Sequence, residues 1–431
     1  MGILLKTPFN SDRLETNPMI YGLRETIIQE SIKELFNDKS LLITGPRGIG
    51  KSSLSYQLQK VLEGDKTLLQ RCLISIELPR FIIIDYTCTS CDTLESIVTE
   101  IVQKIDRKLE DSESKYEIKK AELGFSLFSM FSGKIEATKR EGKQSTIIKC
   151  FIDVIVKLYD IYTEPHINIV VDELDQLGAE HNFAHFIKVV LETLDRQNIN
   201  GLSFIFAGQS DVLKSLLKQQ PSFHRLAKHI DLRPLDDENS QLVFESCIDR
   251  AEIYTEVSDN AKETLLKLAS GYPYFIHVLG HEAFNCMLFK YDQKPNHLYL
   301  GYEDVIEGIK NSLVSCRSRF EDSYSLLNYE EQKLLQELII SWDYNHSQKL
   351  INKIPAIFTQ ELIIEKLSTI QNELSAEEII KKLCDKQIML PVKRRTSLSS
   401  SDQDVVYKFR EEFFRIYLSW KQKNIDDIDY F

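Results

Sequence analysis

The stretch LLITGPRGIGKSSL, residues 41–54, is the most informative pattern in this chain. An apolar run typical of a buried strand enters a glycine-rich loop, and a helix-like pattern follows. Gly45, Gly50, Lys51 and Ser52 match the spacing G-x-x-x-x-G-K-[ST]. Glycines let backbone N–H groups turn towards an anion, and a helix beginning near Lys51 points the positive end of its dipole at the same place. The stretch therefore predicts a phosphate-binding loop (P-loop) between a strand and a helix.

This loop is expected to bind ATP together with Mg²⁺. Lys51 can reach the β- and γ-phosphates and so contribute to catalysis, and the hydroxyl of Ser52 can ligate the metal. The expected nucleotide-binding residues of the loop, which surround the phosphates, are Gly45, Pro46, Arg47, Gly48, Ile49, Gly50, Lys51, Ser52 and Ser53.

A second stretch, HINIVVDELDQLG at residues 166–178, runs from apolar residues straight into acids. If this strand belongs to the same sheet, Asp172 is expected near the water shell of the magnesium, as a metal ligand together with Ser52. Glu173 would then orient or deprotonate the attacking water. Asp175 is expected to be a helix or loop acid, or to assist the metal. The alternative is an ordinary strand followed by a capping acid.

A third strand-like run, LSFIFAGQSD at residues 202–211, ends in polar side chains. Gln209 is expected to contact the γ-phosphate or the attacking water, with Ser210 as the second choice. The alternative is a plain turn between a strand and a helix.

The alternation of short apolar runs with amphipathic stretches predicts an α/β fold with a parallel sheet. After a tail at residues 1–20, we expect a P-loop ATPase core at 21–235. From Pro234 onward the sequence shows no strand-like runs before the C-terminal region, so residues 236–320 are predicted to form a helical lid. Residues 321–431, where helices are followed by two strand-like runs around a Ser-rich turn, predict a winged-helix-like domain.

The core is expected to carry an insertion at about 115–144, where apolar and polar residues alternate around two glycines. We interpret it as a hairpin or a flexible insertion. Its apolar residues either form an interface or fold back onto their own domain. These residues are Phe125, Leu127, Phe128 and Phe131.

Composition narrows the class of protein further. The chain of 431 residues is 43% hydrophobic and 27% charged, and it contains no apolar run of the length of about 20 residues that spans a bilayer. A net charge of −12 argues against nonspecific coating of nucleic acid. The eight cysteines are interpreted as reduced thiols in a cytoplasmic protein.

Three pairs of cysteine or histidine residues have spacings found in metal sites. Each lacks an evident further ligand, so structural roles are the simpler interpretation. The pairs are Cys88 with Cys91, His181 with His185, and His277 with His281.

With these motifs, the chain resembles P-loop ATPases of the AAA+ or STAND type, particularly origin-recognition-like and general-secretion-type bacterial ATPases. YGLRE, residues 21–25, resembles the Gly-Arg-Glu box of that family, which implies that Tyr21 and Arg24 lie near the adenine. SGYPYFIHVLG, residues 270–280, resembles the Gly-x-Pro motif of STAND lids, which implies that Pro273 lies against the base or the sugar.

FAGQSD and the following HRLAKHIDLRPLDDENSQ resemble the sensor-1 strand, the arginine box and the start of the lid. The resemblance implies that Arg225 is an arginine finger that reaches the ATP of a neighbouring subunit. The alternative is a surface or salt-bridged arginine. Residues 272–281 lack the arginine that families with a sensor-2 residue carry near this helix, so fast, motor-like hydrolysis is not implied.

The resemblance implies a nucleotide-dependent switch that forms homo-oligomers and acts through a protein effector or client, as in bacterial stress or anti-phage systems. No membrane partner is expected. An alternative is a DNA-binding initiator or remodelling ATPase that uses the winged helix, with Lys393, Arg394 and Arg395 in its wing. Residues 325–431 contain 15 basic and 17 acidic side chains, so DNA binding is possible but not favoured. A nucleotide-binding scaffold with little turnover is the third possibility.

Overall fold

A computed structural model gives the conformation of most of the chain. It describes residues 5–10, 15–18, 24–79, 81–110, 126–138, 144–163, 165–178, 181–291, 295–345, 355–368, 370, 375–395 and 403–423. The chain divides into two compact units. One is Leu14–Arg233, and the other combines Met1–Arg13 with Pro234–Phe431.

The unit Leu14–Arg233 alternates helices with strands, as the sequence predicts. Short 3-10 turns at Leu174–Gln176 and Pro221–Arg225 supplement its regular elements. In chain order these are α1 Glu25–Phe36, β1 Ser40–Thr44, α2 Lys51–Leu62, α3 Thr67–Arg71, β2 Phe81–Thr87, α4 Leu94–Glu110, α5 Leu127–Thr138, α6 Gln144–Ile161, β3 His166–Asp172, α7 Phe183–Arg196, β4 Leu202–Gly208, α8 Val212–Gln219 and β5 Ala227–Asp231.

Five parallel strands form the centre of this unit, in the order β2-β3-β4-β1-β5. Strands β1 and β4 are buried at every position, because helices cover both faces of the sheet. The predicted α/β fold with a parallel core is therefore confirmed. Strand β5 was not predicted, since its exposed Lys228 and His229 interrupt the apolar pattern at the edge of the sheet.

The hairpin interpretation of the insertion is wrong for its described part, which is helix α5. Leu127, Phe131 and Ile135 recur at intervals of four, so they share one helical face, and the helix tolerates Gly133 between them. Leu127 and Phe131 are buried in the core, which shows that this face folds back onto its own domain. Phe125 and residues 139–143 lie outside the described residues.

The second unit is mainly helical. In chain order its elements are α9 Asp237–Ile248, β6 Thr255–Val257, α10 Asp259–Ala269, α11 Pro273–Leu288, β7 Leu298–Leu300, α12 Tyr302–Ser315, α13 Arg317–Ser325, α14 Tyr329–Asn345, β8 Ile357–Thr359, α15 Gln360–Ser368, α16 Ala376–Asp385, β9 Met389–Arg395, β10 Gln403–Phe409 and α17 Glu412–Lys423.

One feature of this unit differs from the helical lid predicted for residues 236–320. The strands β6 and β7 pair in parallel although each has only three residues, a length too short for a periodic signal in the sequence. Further along the chain, β8, β10 and β9 form an antiparallel sheet in that order. None of the described helices is long and apolar enough to cross a membrane.

Candidate active site

The P-loop joins the end of β1 to the start of α2, as the motif predicts. Gly50 precedes the first residue of α2 with φ 99° and ψ 24°, a left-handed conformation that glycine adopts without the steric cost of a Cβ atom. At Gly45 a Cβ atom would lie 2.8 Å from the carbonyl oxygen of Leu232. Glycine is therefore required at both ends of the loop: at Gly50 for its backbone conformation, and at Gly45 because no space is left for a side chain.

Two cations fix the backbone of this loop. The Lys51 Nζ atom donates to the carbonyl oxygens of Gly45 at 3.1 Å and Pro46 at 3.2 Å. Arg24 donates from Nη2 to the carbonyl oxygen of Ile49 at 3.2 Å, and the Ile49 side chain is fully buried. Arg24 thus lies beside the phosphate loop, whereas Tyr21 lies outside the described residues.

The acids of the second stretch follow β3 at the carboxyl edge of the sheet. Strand β4 separates β3 from β1, so the two strand ends are about 10 Å apart at the usual strand spacing. Glu173 has φ 54°, which is rare for a residue with a side chain, and its N–H donates to Asp172 Oδ1 at 2.8 Å. The local hydrogen bond stabilises a conformation that sets Glu173 apart from the strand.

Charge on both sides of the site acts on the Glu173 carboxyl. Its pKa is raised by loss of hydration and by the negative charges of Asp175 and Asp172, and it is lowered by Lys51 and Arg47. Lys51 and Arg47 of the P-loop therefore lie within electrostatic range of the Glu173 carboxyl. The structure brings together the phosphate loop and the acidic strand end.

Gln209 follows β4, the strand between these two. Its backbone N–H donates to Asp175 Oδ1 and its side-chain Nε2 donates to Asp175 Oδ2, both at 2.9 Å. Sequence reasoning missed this pair, because 34 positions separate the two residues in the chain. The only sign of this contact in the sequence is the acid Asp175 itself, three residues after Asp172.

Two of the predicted site residues do not follow the carboxyl ends of the sheet strands. Arg225 is exposed at the end of the 3-10 turn that precedes β5. Because β5 runs parallel to β1 and pairs Ala227 with Ser40, Arg225 lies towards the amino edge of the sheet, opposite the P-loop. Pro273 is the first residue of α11 and belongs to the other unit.

The metal alternatives for the cysteine and histidine pairs gain no support. Among the described residues, no group of three or more His, Cys, Asp or Glu side chains could hold a metal ion. Burial and nearby acids raise the pKa of Cys88 to about 12, which keeps it an unreactive thiol. His277 is buried, its pKa is lowered to about 4 by burial, and its Nδ1 accepts a hydrogen bond from the Asn10 N–H at 3.2 Å.

Replacing Glu173 by Gln is expected to stabilise the protein at neutral pH. A carboxyl whose pKa is raised by folding imposes no penalty below its usual value of 4.5, and the penalty grows as pH rises through the folded-state pKa. The difference in thermal midpoint between the variant and the wild type should thus shrink from about pH 8 to about pH 5. Asp195→Asn, which changes an exposed acid near the end of α7, is the control. A difference that stays constant with pH would contradict the electrostatic account.

Comparison with known proteins shows what part of the chain resembles. Residues 33–216 match the family model described as AAA domain. No curated protein sequence matches the chain. Among solved structures, a Walker-type ATPase of Pyrococcus abyssi is similar, with 16% identity, a TM-score of 0.60, and coverage of 96% of this chain and 100% of that chain.

The ORC2 protein of Aeropyrum pernix, solved as ADPNP–ADP complexes, is also similar. It shares 11% identity with a TM-score of 0.53, over 98% of this chain and 100% of that chain. At these identities the structural likeness shows the fold alone. The match of residues 33–216 to the AAA domain and the P-loop between β1 and α2 agree on the chemistry: the protein binds ATP and is an ATP-hydrolysing P-loop enzyme.

Proposed function

We propose that the protein is a nucleotide-dependent switch that self-associates, with Arg225 of one subunit completing the ATP site of another. The position of Arg225 carries this proposal. From the start of β5 to the level of the P-loop the sheet extends five residues, or about 16 Å. An arginine side chain is shorter than that distance. Arg225 therefore cannot easily serve its own phosphate site, but its exposure leaves it available to a second copy.

Within each site the chain supplies the groups that hydrolysis requires. We infer that the P-loop holds the phosphates, that Lys51 neutralises charge on them, and that Glu173 accepts the proton of the attacking water. Ser52 and Asp172 offer hydroxyl and carboxylate oxygens, the donors that Mg²⁺ prefers, and Mg²⁺ sites with one or two carboxylates and several waters are usual. When bound, the metal would neutralise charge that develops on the phosphates.

Contacts inside the second unit connect the lid motif with the C-terminal region, and through them the nucleotide state would affect that region. Tyr272 is the middle residue of the Gly-x-Pro motif, and its hydroxyl accepts a hydrogen bond from Arg410 Nε at 2.9 Å. Arg319 donates to Glu411 at 2.8 Å, and its guanidinium carbon lies 4.6 Å from the centre of the Phe275 ring. Residues beside Pro273 are thus bonded to residues that precede α17. This network supports coupling between the lid motif and the C-terminal region.

We propose further that the C-terminal region is a winged helix that contacts a protein effector or client. The order α14, β8, α15, α16, β9, β10 with an antiparallel sheet supports a winged helix. Two exposed acids, Glu377 and Glu378, occupy the first turn of α16, and they would repel DNA phosphates. Acids at this position favour a protein partner. A role in stress or anti-phage defence remains part of the proposal on the resemblance alone.

DNA binding is a second candidate because Lys393, Arg394 and Arg395 end strand β9 and begin a hairpin with β10. Basic residues in a wing are suited to phosphate contacts.

The arginine-finger proposal predicts that two inactive variants restore each other. Arg225→Ala should hydrolyse ATP roughly a thousandfold more slowly than the wild type, because it lacks the cation that stabilises the transferring phosphoryl group. Glu173→Gln should bind ATP without turnover. A mixture of the two should exceed either alone, because Glu173→Gln subunits donate Arg225 to intact sites. Particle mass, measured with a slowly hydrolysed ATP analogue and with ADP, should differ between the two nucleotides.

Arg196→Ala is the matched control, since Arg196 is an exposed arginine at the end of α7, with a side chain 80% exposed, and its change should leave turnover unchanged. Wild-type turnover in Arg225→Ala, or a monomer with both nucleotides, would overturn the proposal.

Salt dependence separates the two candidates for the C-terminal region. Binding of duplex DNA should be weak at low salt and should not be altered by replacing Lys393, Arg394 and Arg395 with alanine, if the region contacts protein. Tight binding that weakens steeply as salt rises and is lost in the triple variant would establish the DNA candidate instead.

A further inference from the structure

The amide of Gln209 has a defined orientation because its partner is a carboxylate. Asp175, in the 3-10 turn after β3, can only accept hydrogen bonds when ionised. The side-chain end of Gln209 that lies 2.9 Å from Asp175 Oδ2 must therefore be the nitrogen, and the amide oxygen lies at the other end. The backbone N–H of Gln209 donates to the second carboxylate oxygen, which fixes the main chain as well.

Close packing prevents this pair from shifting. A Cβ atom at Gly208 would lie 2.7 Å from a methyl carbon of Val212 and 3.3 Å from Asp175 Oδ1. The end of β4 thus approaches the turn at Asp175 as closely as a glycine permits. Asp175 holds Gln209 on a rigid element rather than on a free loop.

The sheet places Gln209 between the two halves of the site. Strand β4 lies between β1, which leads into the P-loop, and β3, which leads to Glu173. A γ-phosphate offers only acceptor oxygens, so an amide oxygen directed at it would be repelled. A water between the phosphate and Glu173 offers two O–H donors, and an amide oxygen can accept one of them.

We propose that Asp175 is a positioning residue, which presents the amide oxygen of Gln209 to the attacking water. In the step, the water oxygen bonds to the γ-phosphorus as the bond to ADP breaks. One water proton passes to Glu173, and the other O–H is held by Gln209. The inference rests on the proposed ATP hydrolysis at this site, whereas particle mass tests self-association separately.

The decisive variant is Asp175→Asn, which keeps the size of the side chain. Its oxygen can still accept from the backbone N–H of Gln209, but its NH₂ group faces the NH₂ group of Gln209. The Gln209 amide should rotate to pair its oxygen with Asn, which turns its nitrogen towards the water. Single-turnover hydrolysis should fall about 100-fold, the cost of misplacing a reacting group. ATP affinity, ADP affinity and the thermal midpoint should stay at wild-type values.

Gln209→Ala should also slow hydrolysis while the affinities for ATP and ADP stay at wild-type values. Adding Gln209→Ala to Asp175→Asn should slow hydrolysis no further, because both changes remove the same interaction. Gln176→Ala is the control, since Gln176 shares the turn and its Nε2 donates only a long hydrogen bond, of 3.5 Å, to Asp175 Oδ2. Wild-type hydrolysis in Asp175→Asn would overturn the proposal. So would a loss of ATP affinity relative to ADP in Gln209→Ala, which would make Gln209 a ligand of the γ-phosphate.

Discussion

The parallel direction of the strands is the constraint on which the site depends. Because β1, β4 and β3 run the same way, their carboxyl ends share one edge of the sheet. The P-loop, Gln209 and the acids from Asp172 to Asp175 all follow these ends. Residues distant in the chain therefore meet, and Lys51 can influence the pKa of Glu173. An antiparallel neighbour would place its polar residues at the opposite edge.

The parallel direction of the strands also separates Arg225 from the P-loop of its own chain. Arg225 precedes a parallel strand, so it lies at the opposite edge from its own P-loop and is suited to a site in another copy. In the second unit, partly buried contacts of Arg410 and Arg319 hold the residues beside Pro273. The first unit thus holds a phosphate loop beside an acidic strand end, and an arginine at the opposite edge of the sheet. In the proposed function, these are the parts that a self-associating switch needs.

The sequence was informative where local pattern and motif agree. The P-loop and the acids of β3 follow apolar runs long enough to be recognised as strands, and the family match covers both. Strand β5 was missed because this edge strand buries only Ala227 and Ile230, and two exposed residues in succession between them break the apolar pattern. Helix α5 was misread because a short window does not separate period two from period 3.6 around Gly133. The contact of Asp175 with Gln209 is tertiary, and no local pattern carries it.

Equilibrium binding of ATP with Mg²⁺ to the wild-type protein and to Lys51→Ala tests whether the glycine-rich loop holds the phosphates. If the glycine-rich loop is the phosphate site, the wild type binds ATP. Loss of a charged hydrogen-bonding partner of the phosphates should then weaken binding about 10- to 100-fold. Equal affinity in the two proteins, or no binding by the wild type, would contradict the account.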